Sequence, residues 1–155
     1  MKTIKGNLLD FPDGINILFH QANCHCVMGA GIAAQIKERY PAAYDADLAT
    51  KGQDKLGKFS TALISGDPLK IIVNLYGQDD IGGRATNYEA IYNAMEVAME
   101  RMANSPRKEH FKFHIGIPKG MSCGLASGDW RILEVMIAVL EEKYGIPVTI
   151  VEWDK

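Results

Sequence analysis

The stretch "HQANCHCVMGAGIAAQIKERYP", residues 20–41, decides how this chain is read. An apolar run leads into it. "INILFHQ" (15–21) is β-branched and aromatic and predicts a buried strand. A glycine-rich turn follows. Residues 31–40 then predict a helix, with Ile32, Ala33, Ile36 and Tyr40 on one face and Pro41 as its stop. Strand, glycine loop and helix in that order make one unit of an α/β domain. A metal, a redox pair or a phosphate would each suit such a loop.

Spacing separates the three. A tetrahedral metal site would need His20, Cys24, His25 and Cys26. Neighbours in a C-H-C run cannot all turn inward onto one ion, and no C-x-x-C exists. The C-x-C pair also lacks the redox spacing. Cys24, Cys26 and Cys123 therefore read as small, partly buried thiols, incidental to chemistry. The phosphate reading needs less. Glycine lets the backbone approach a ligand, and a helix N-terminus offers free N–H groups with partial positive charge. The competing reading is that Gly29 and Gly31 only allow a tight turn and close packing. "GAG" is no Walker loop, because no G-K-[ST] follows, and it lacks the third glycine of the Rossmann fingerprint.

Outward from this stretch the alternation continues. Residues 3–6 predict a short strand and residues 42–50 a second short helix. "STALIS" (60–65) and "KIIVNLY" (70–76) predict strands joined by a turn at "GDP" (66–68). Residues 87–102 predict a strong helix, with Ile91, Ala94, Met95, Ala98 and Met102 at helical spacing. "FKFHIGIP" (111–118) predicts a strand. Residues 130–144 predict a second strong helix, with Gly145 as C-cap. "PVTIVEW" (147–153) predicts the last strand. The polar stretches 50–58 and 103–110 are too short for domain linkers and read as surface connections. The expectation is one α/β domain over residues 1–155, with helices on both faces of a sheet. The hairpin-like pair around Gly66 makes that sheet mixed. Ligands of such sheets bind at the carboxyl ends of the strands.

Bulk properties narrow the function. A formal net charge of -2 argues against avid non-specific nucleic-acid binding. Three cysteines, an odd number, point away from a disulfide framework and toward a reducing cytoplasm. "MKTIKGNLLD" has no long apolar run, so no signal peptide is expected. No stretch approaches the roughly 18 apolar residues of a membrane span.

Three glycine-containing loops follow strands and precede helices: residues 23–33, 77–87 and 119–130. A diphosphate would fit between two helix N-termini at the strand ends. His20 ends a buried strand and is read as a satisfied structural residue or an acid–base group. Asp129 stands at a helix start and is read as an N-cap or a catalytic carboxylate. Asp79, Asp80 and Arg84 default to solvated charge. Asn23 would bind a ribose hydroxyl or satisfy local backbone.

Taken together, "IKGNLL", "ILFHQANCHCVMGAGIAAQIKERYP", "IIVNLYGQ…TNYEAI" and "IGIPKGMSCGLASGDWRILEVMI" resemble a macro domain, the ADP-ribose-binding fold. They run in that family's order over most of the chain. The likeness is nearest to stand-alone ADP-ribose 1″-phosphate phosphatases of the yeast and bacteriophage type. The resemblance implies a three-layer α/β/α fold with a central mixed β-sheet and ADP-ribose across its crest. It implies that Gly29, Ala30, Gly31 and Ile32 hug the diphosphate and distal ribose. Ser122, Cys123, Gly124, Leu125 and Ala126 would form a second phosphate loop. Asn23 would contact the distal ribose, Asn7 and Leu8 would approach adenine, and Trp153 would stack on it. His20 and Asp129 match the phosphatase branch's proposed catalytic positions.

Two departures qualify the resemblance. Deacylating relatives use a lysine after the fourth strand and an aspartate after "C-G-L". Here the strand leads to "LYGQDD", and Ala126 follows "CGL". Asn7 stands where many relatives have an aspartate for the adenine amine. The expected activity is metal-independent, cofactor-free release of phosphate from ADP-ribose 1″-phosphate. The alternatives are hydrolysis of ADP-ribosyl esters on modified macromolecules and a non-catalytic ADP-ribose reader.

Overall fold

The computed structural model describes residues 1–66, 68–79, 86–124 and 126–154. These form six strands and four α-helices. In chain order they are β1 (Lys2–Gly6), β2 (Ile17–Asn23), α1 (Gly31–Arg39), α2 (Pro41–Leu48), β3 (Phe59–Ile64), β4 (Lys70–Gln78), α3 (Tyr88–Ala103), β5 (Ile115–Pro118), α4 (Trp130–Tyr144) and β6 (Val148–Trp153). The sheet order is β1-β6-β5-β2-β4-β3. Among the described strands, β3 and β4 pair antiparallel and the other pairs are parallel. The expected mixed sheet is observed.

Alternation along the strands divides the core into two layers. Ile17, Phe19, Val73 and Leu75 face α3 and α4, where they meet Ile91, Met95, Leu133 and Ile137. Leu18, Ile72, Ala62 and Val151 face the other way, toward Ile36 of α1 and Ala43 of α2. This is the three-layer arrangement that the resemblance implied. Among the described residues no helix is long and apolar enough to cross a membrane.

The expected helices match best where capping residues mark them. Asp129 caps α4 by accepting from the Arg131 N–H, and Gly145 closes it at φ 66°. Asn87 caps α3 in the same way, so that helix starts one residue later than expected. The largest difference is β5, which is four residues long rather than eight. The Asn16 side chain accounts for it. Asn16 donates to the Lys112 carbonyl at 2.8 Å and accepts from the His114 N–H at 2.9 Å, in place of ladder bonds. Residues 103–110, read as a plain connection, contain a 3₁₀ turn at Pro106–Glu109. Asp67, within the expected "GDP" turn, lies outside the described residues.

A chain of buried polar groups runs between the sheet and α2. His20, Asn74 and Tyr76 are fully buried. Tyr76 donates its hydroxyl to Asp47 Oδ1 at 2.8 Å. Its shared bond with Ser60 (2.7 Å) therefore runs from Ser60 to Tyr76. Asn74 Nδ2 donates to Ser60 Oγ and to the Ala43 carbonyl, both at 3.0 Å. That leaves Asn74 Oδ1 to accept from His20 Nε2 at 2.5 Å, which sets the imidazole as the Nε2–H tautomer. Burial pushes the Tyr76 phenol up to about 12, so it remains a donor. The chain ends on an ion pair, Lys55 Nζ to Asp47 Oδ1 at 3.0 Å, with side chains 3% and 1% exposed.

Two outcomes are expected. Removing one partner of the pair leaves a buried charge unmatched, so Lys55→Met should cost about 3–5 kcal/mol in urea unfolding. The double variant Asp47→Leu with Lys55→Met should recover part of that loss. Burial also lowers the His20 pKa below its ordinary value near 6.5. Between the two values the unfolded chain binds a proton that the fold does not. Stability should therefore rise with pH across that window and fall as pH drops through it, by up to about 1.4 kcal/mol per pH unit. Urea midpoints should show this slope below about pH 6.5 and level off above it, and His20→Gln should flatten it.

Candidate functional site

The parallel strands point their carboxyl ends at one crest, and a cleft of about 640 Å³ lies along it. Gln21, Ala22 and Asn23 of β2 form its floor, with Gln78 of β4 beside them. A register shift between Ala22 and Asn23 ends the β2–β4 pairing there. One wall is the first loop and the start of α1: Val27, Gly29, Ala30, Gly31, Ile32 and Ala33. The other wall is the β5–α4 loop, with Lys119, Gly120, Met121, Ser122, Gly124 and Ala126. Gly6, Asn7, Leu8, Val151 and Trp153 close one end, and Trp153 is half exposed.

Each wall has a local cause. In the first loop the Asn23 amide closes a turn. Its Oδ1 accepts from the His25 N–H at 2.9 Å and its Nδ2 donates to the Val27 carbonyl at 2.8 Å. Gly31 begins α1 at φ 57°, a conformation that favours glycine. Ala30 before it supplies no side-chain cap, so the first N–H groups of α1 face the cleft without a side-chain acceptor. In the second loop the Gly128 N–H donates to the Ser122 carbonyl at 2.7 Å, and Thr86 Oγ1 donates to the same oxygen at 2.8 Å. A Cβ at position 128 would collide with that carbonyl. Ser122 is held at φ 70°, unusual for a residue with a side chain. Its hydroxyl donates to Gln21 Oε1, and Gln21 Nε2 donates to Gln78 Oε1 at 2.8 Å. The two glutamines thus tie the second wall to the floor.

Of the expected ligand residues, Asn7, Leu8, Asn23, Gly29, Ala30, Gly31, Ile32, Ser122, Gly124, Ala126 and Trp153 line the cleft. Cys123 does not, and its Sγ donates to the Met121 carbonyl at 3.3 Å. Leu125 lies outside the described residues, as do Asp80 and Arg84.

The two expected catalytic groups are not brought together, and neither borders the cleft. His20 sits one residue below the floor and points to the α2 side, bonded to Asn74. The Asp129 carboxylate caps α4 and pairs with Arg131 at 2.8 Å. That guanidinium holds its pKa below the ordinary carboxylate value. Reading the strand as ending at Gln21 put His20 at the rim; β2 in fact continues to Asn23, which buries it. Gln21, Gln78 and Lys119 were missed as cleft residues. The available signal was a glutamine near the carboxyl end of each of two largely apolar strands. Among the described cleft residues Lys119 is the one titratable side chain, and it lies 3.5 Å from Glu152. No group of three or more potential metal ligands occurs among the described residues.

Comparison with known proteins adds to this geometry. No family model matches the chain. The chain is 31% identical to the 17.5 kDa protein of Enterobacteria phage T4, over 99% of this chain and 97% of that one. A shorter stretch of 45 residues is 49% identical to the ADP-ribose 1″-phosphate phosphatase of Aspergillus oryzae. It covers 29% of this chain and 22% of that protein. Among solved structures, the macrodomain of Mycobacterium tuberculosis DarG superposes with a TM-score of 0.74 at 20% identity, over 99% of this chain and 97% of that one. Thermosipho africanus DarTG, solved in complex with ADP-ribose, gives 0.74 at 19% identity, over 98% of this chain and 42% of that one. The chain therefore belongs to one family with the T4 protein, and its fold is that of a macrodomain.

Proposed function

We propose that the cleft binds ADP-ribose and that the chain hydrolyses the terminal phosphate of ADP-ribose 1″-phosphate without a metal. The observation that carries the binding half is the uncapped N-terminus of α1 on the cleft wall. Free N–H groups and the helix dipole suit a diphosphate where few cationic side chains are present. The remaining features fit the rest of that ligand. Asn7, Leu8 and Trp153 offer an amide, an aliphatic surface and an indole at one end, suited to a base. The volume lies within the ordinary range for ligand clefts. ADP-ribose is the ligand named for the DarTG structure.

The hydrolase half draws on the short, high-identity match to the fungal phosphatase. Its chemistry needs a positioned water and donors for the phosphoryl oxygens. Amides of the two loops supply donors, and Ser122, Gln21 and Gln78 are polar side chains of the cleft that would order a water. His20 and Asp129 are engaged elsewhere, so this reading does not route a proton through them. The lack of a cleft carboxylate or imidazole among the described residues favours a second reading, a non-catalytic ADP-ribose reader.

The deciding experiment incubates chelator-treated protein with ADP-ribose 1″-phosphate and, separately, with an ADP-ribosylated glutamate peptide. Phosphate release is expected. Release of ADP-ribose from the peptide alone would replace the phosphatase with an ester hydrolase. Binding without either product would leave a reader, and no binding would remove the whole proposal. Asp129→Ala should retain turnover; loss of turnover with binding intact would return that aspartate to the mechanism. By calorimetry, Trp153→Ala should cost about 0.5–1.5 kcal/mol of ADP-ribose affinity. Gly128→Ala should weaken binding more, because it displaces the Ser122 carbonyl.

A further inference from the structure

Nothing in the proposed chemistry uses the cluster beneath the first loop. Cys26 and Lys55 come from distant segments and are buried, 8% and 3% exposed. Lys55 Nζ donates to Cys26 Sγ at 3.4 Å, to Asp47 Oδ1 at 3.0 Å and to Thr50 Oγ1 at 2.8 Å. Asp47 Oδ2 is buried with no hydrogen-bond partner. A thiol, an amine and an open carboxylate oxygen therefore share one enclosure.

We propose that Cys26 and Lys55 form a peroxide-sensitive crosslinking site, in which oxidation of the thiol ends in a covalent S–N bond between the two side chains. Hydrogen peroxide first converts the Cys26 thiol to a sulfenic acid and leaves as water. The Lys55 ammonium then passes one proton to Asp47, and the free amine attacks the sulfenic sulfur. The S–N bond forms as the S–O bond breaks. The departing hydroxyl takes the second nitrogen proton and leaves as water. One peroxide is reduced to two waters, and the sulfur is oxidised by two electrons.

Geometry favours this outcome over further oxidation of the sulfur. Lys55 Nζ lies 3.4 Å from Sγ, so a sulfenic sulfur formed there is already within reach of the amine. Asp47 and Thr50 hold the nitrogen nucleophile at contact distance. Cys26 itself is pinned at φ 57° with its Sγ donating to the Asp47 carbonyl at 3.4 Å. The bond would tie the first loop, which carries Val27 and Gly29 of the cleft wall, to the segment leading into β3.

The test treats the reduced full chain with stoichiometric hydrogen peroxide, digests it without reductant and maps the peptides by mass spectrometry. The expected product joins the Cys26 and Lys55 peptides, two hydrogens lighter than their sum, and dithiothreitol returns both to the free state. Cys26→Ser and Lys55→Arg should abolish it. The oxidised wild type should also melt at a higher temperature than the reduced form, reversibly with dithiothreitol. Three outcomes overturn the proposal: Cys26 carrying oxygen with Lys55 free, Cys26 in a disulfide with Cys24 or Cys123, or Cys26 untouched while those two are oxidised. The wild-type peptide map decides the matter even where a variant fails to fold.

Discussion

The Asp47 carboxylate is the point on which the layer between the sheet and α2 depends. A chain of hydrogen bonds running one way must end on a group that accepts without donating. His20, Asn74, Ser60 and Tyr76 each pass a donor forward, and Asp47 receives the last. Taking a carboxylate out of water is costly, and Lys55 offsets that cost by meeting it at 3.0 Å. The pair then reaches further than its own charges. Through Cys26 it fixes the first loop, and through Asn74 it holds the Ala43 carbonyl of α2 against the sheet.

This arrangement separates charge from the cleft. On β2, successive residues point to opposite faces. His20 joins the buried chain below, while Gln21 reaches across the crest to Ser122 and Gln78. Gly77 is part of the same solution, because a side chain there would occupy the space of the Gln21 amide. The strand end thus serves two polar systems without letting them meet. The one below is ionic and dry. The one above is neutral and open.

Much of the fold was legible because its periods are clear. The α4 bounds were readable from Asp129 and Gly145, whose capping chemistry is local. The glycine loops were placed on the crest by the general rule for strand ends. Long-range partners were not legible. Asn16 shortens β5 from nearly a hundred residues away in the chain, and no local pattern announces it. Lys55 lies in a stretch whose composition reads as solvated surface, yet tertiary packing buries it. Asn74 and Tyr76 sit on an apolar strand, so their polar row shows only once Ser60 and His20 are set beside them. His20 was misplaced for a smaller reason. A strand end misread by two residues moves a side chain from the rim to beneath the floor, and the two-residue period keeps it pointing at α2.

The two helices that begin at the crest show how such a cleft can choose an anion with so few cations. The first turn of α4 is already served by Asp129, itself held by Arg131. The first turn of α1 has no such cap. An anion arriving at the crest therefore meets one open set of amides rather than two equal ones, and its position along the cleft is set by that asymmetry. The second loop contributes shape instead: the close Gly128–Ser122 contact and the strained Ser122 backbone narrow the opposite wall. On the proposed reading, the diphosphate of the ligand meets the α1 amides and its base lies toward Asn7, Leu8 and Trp153, whereas inorganic phosphate would satisfy only the amides.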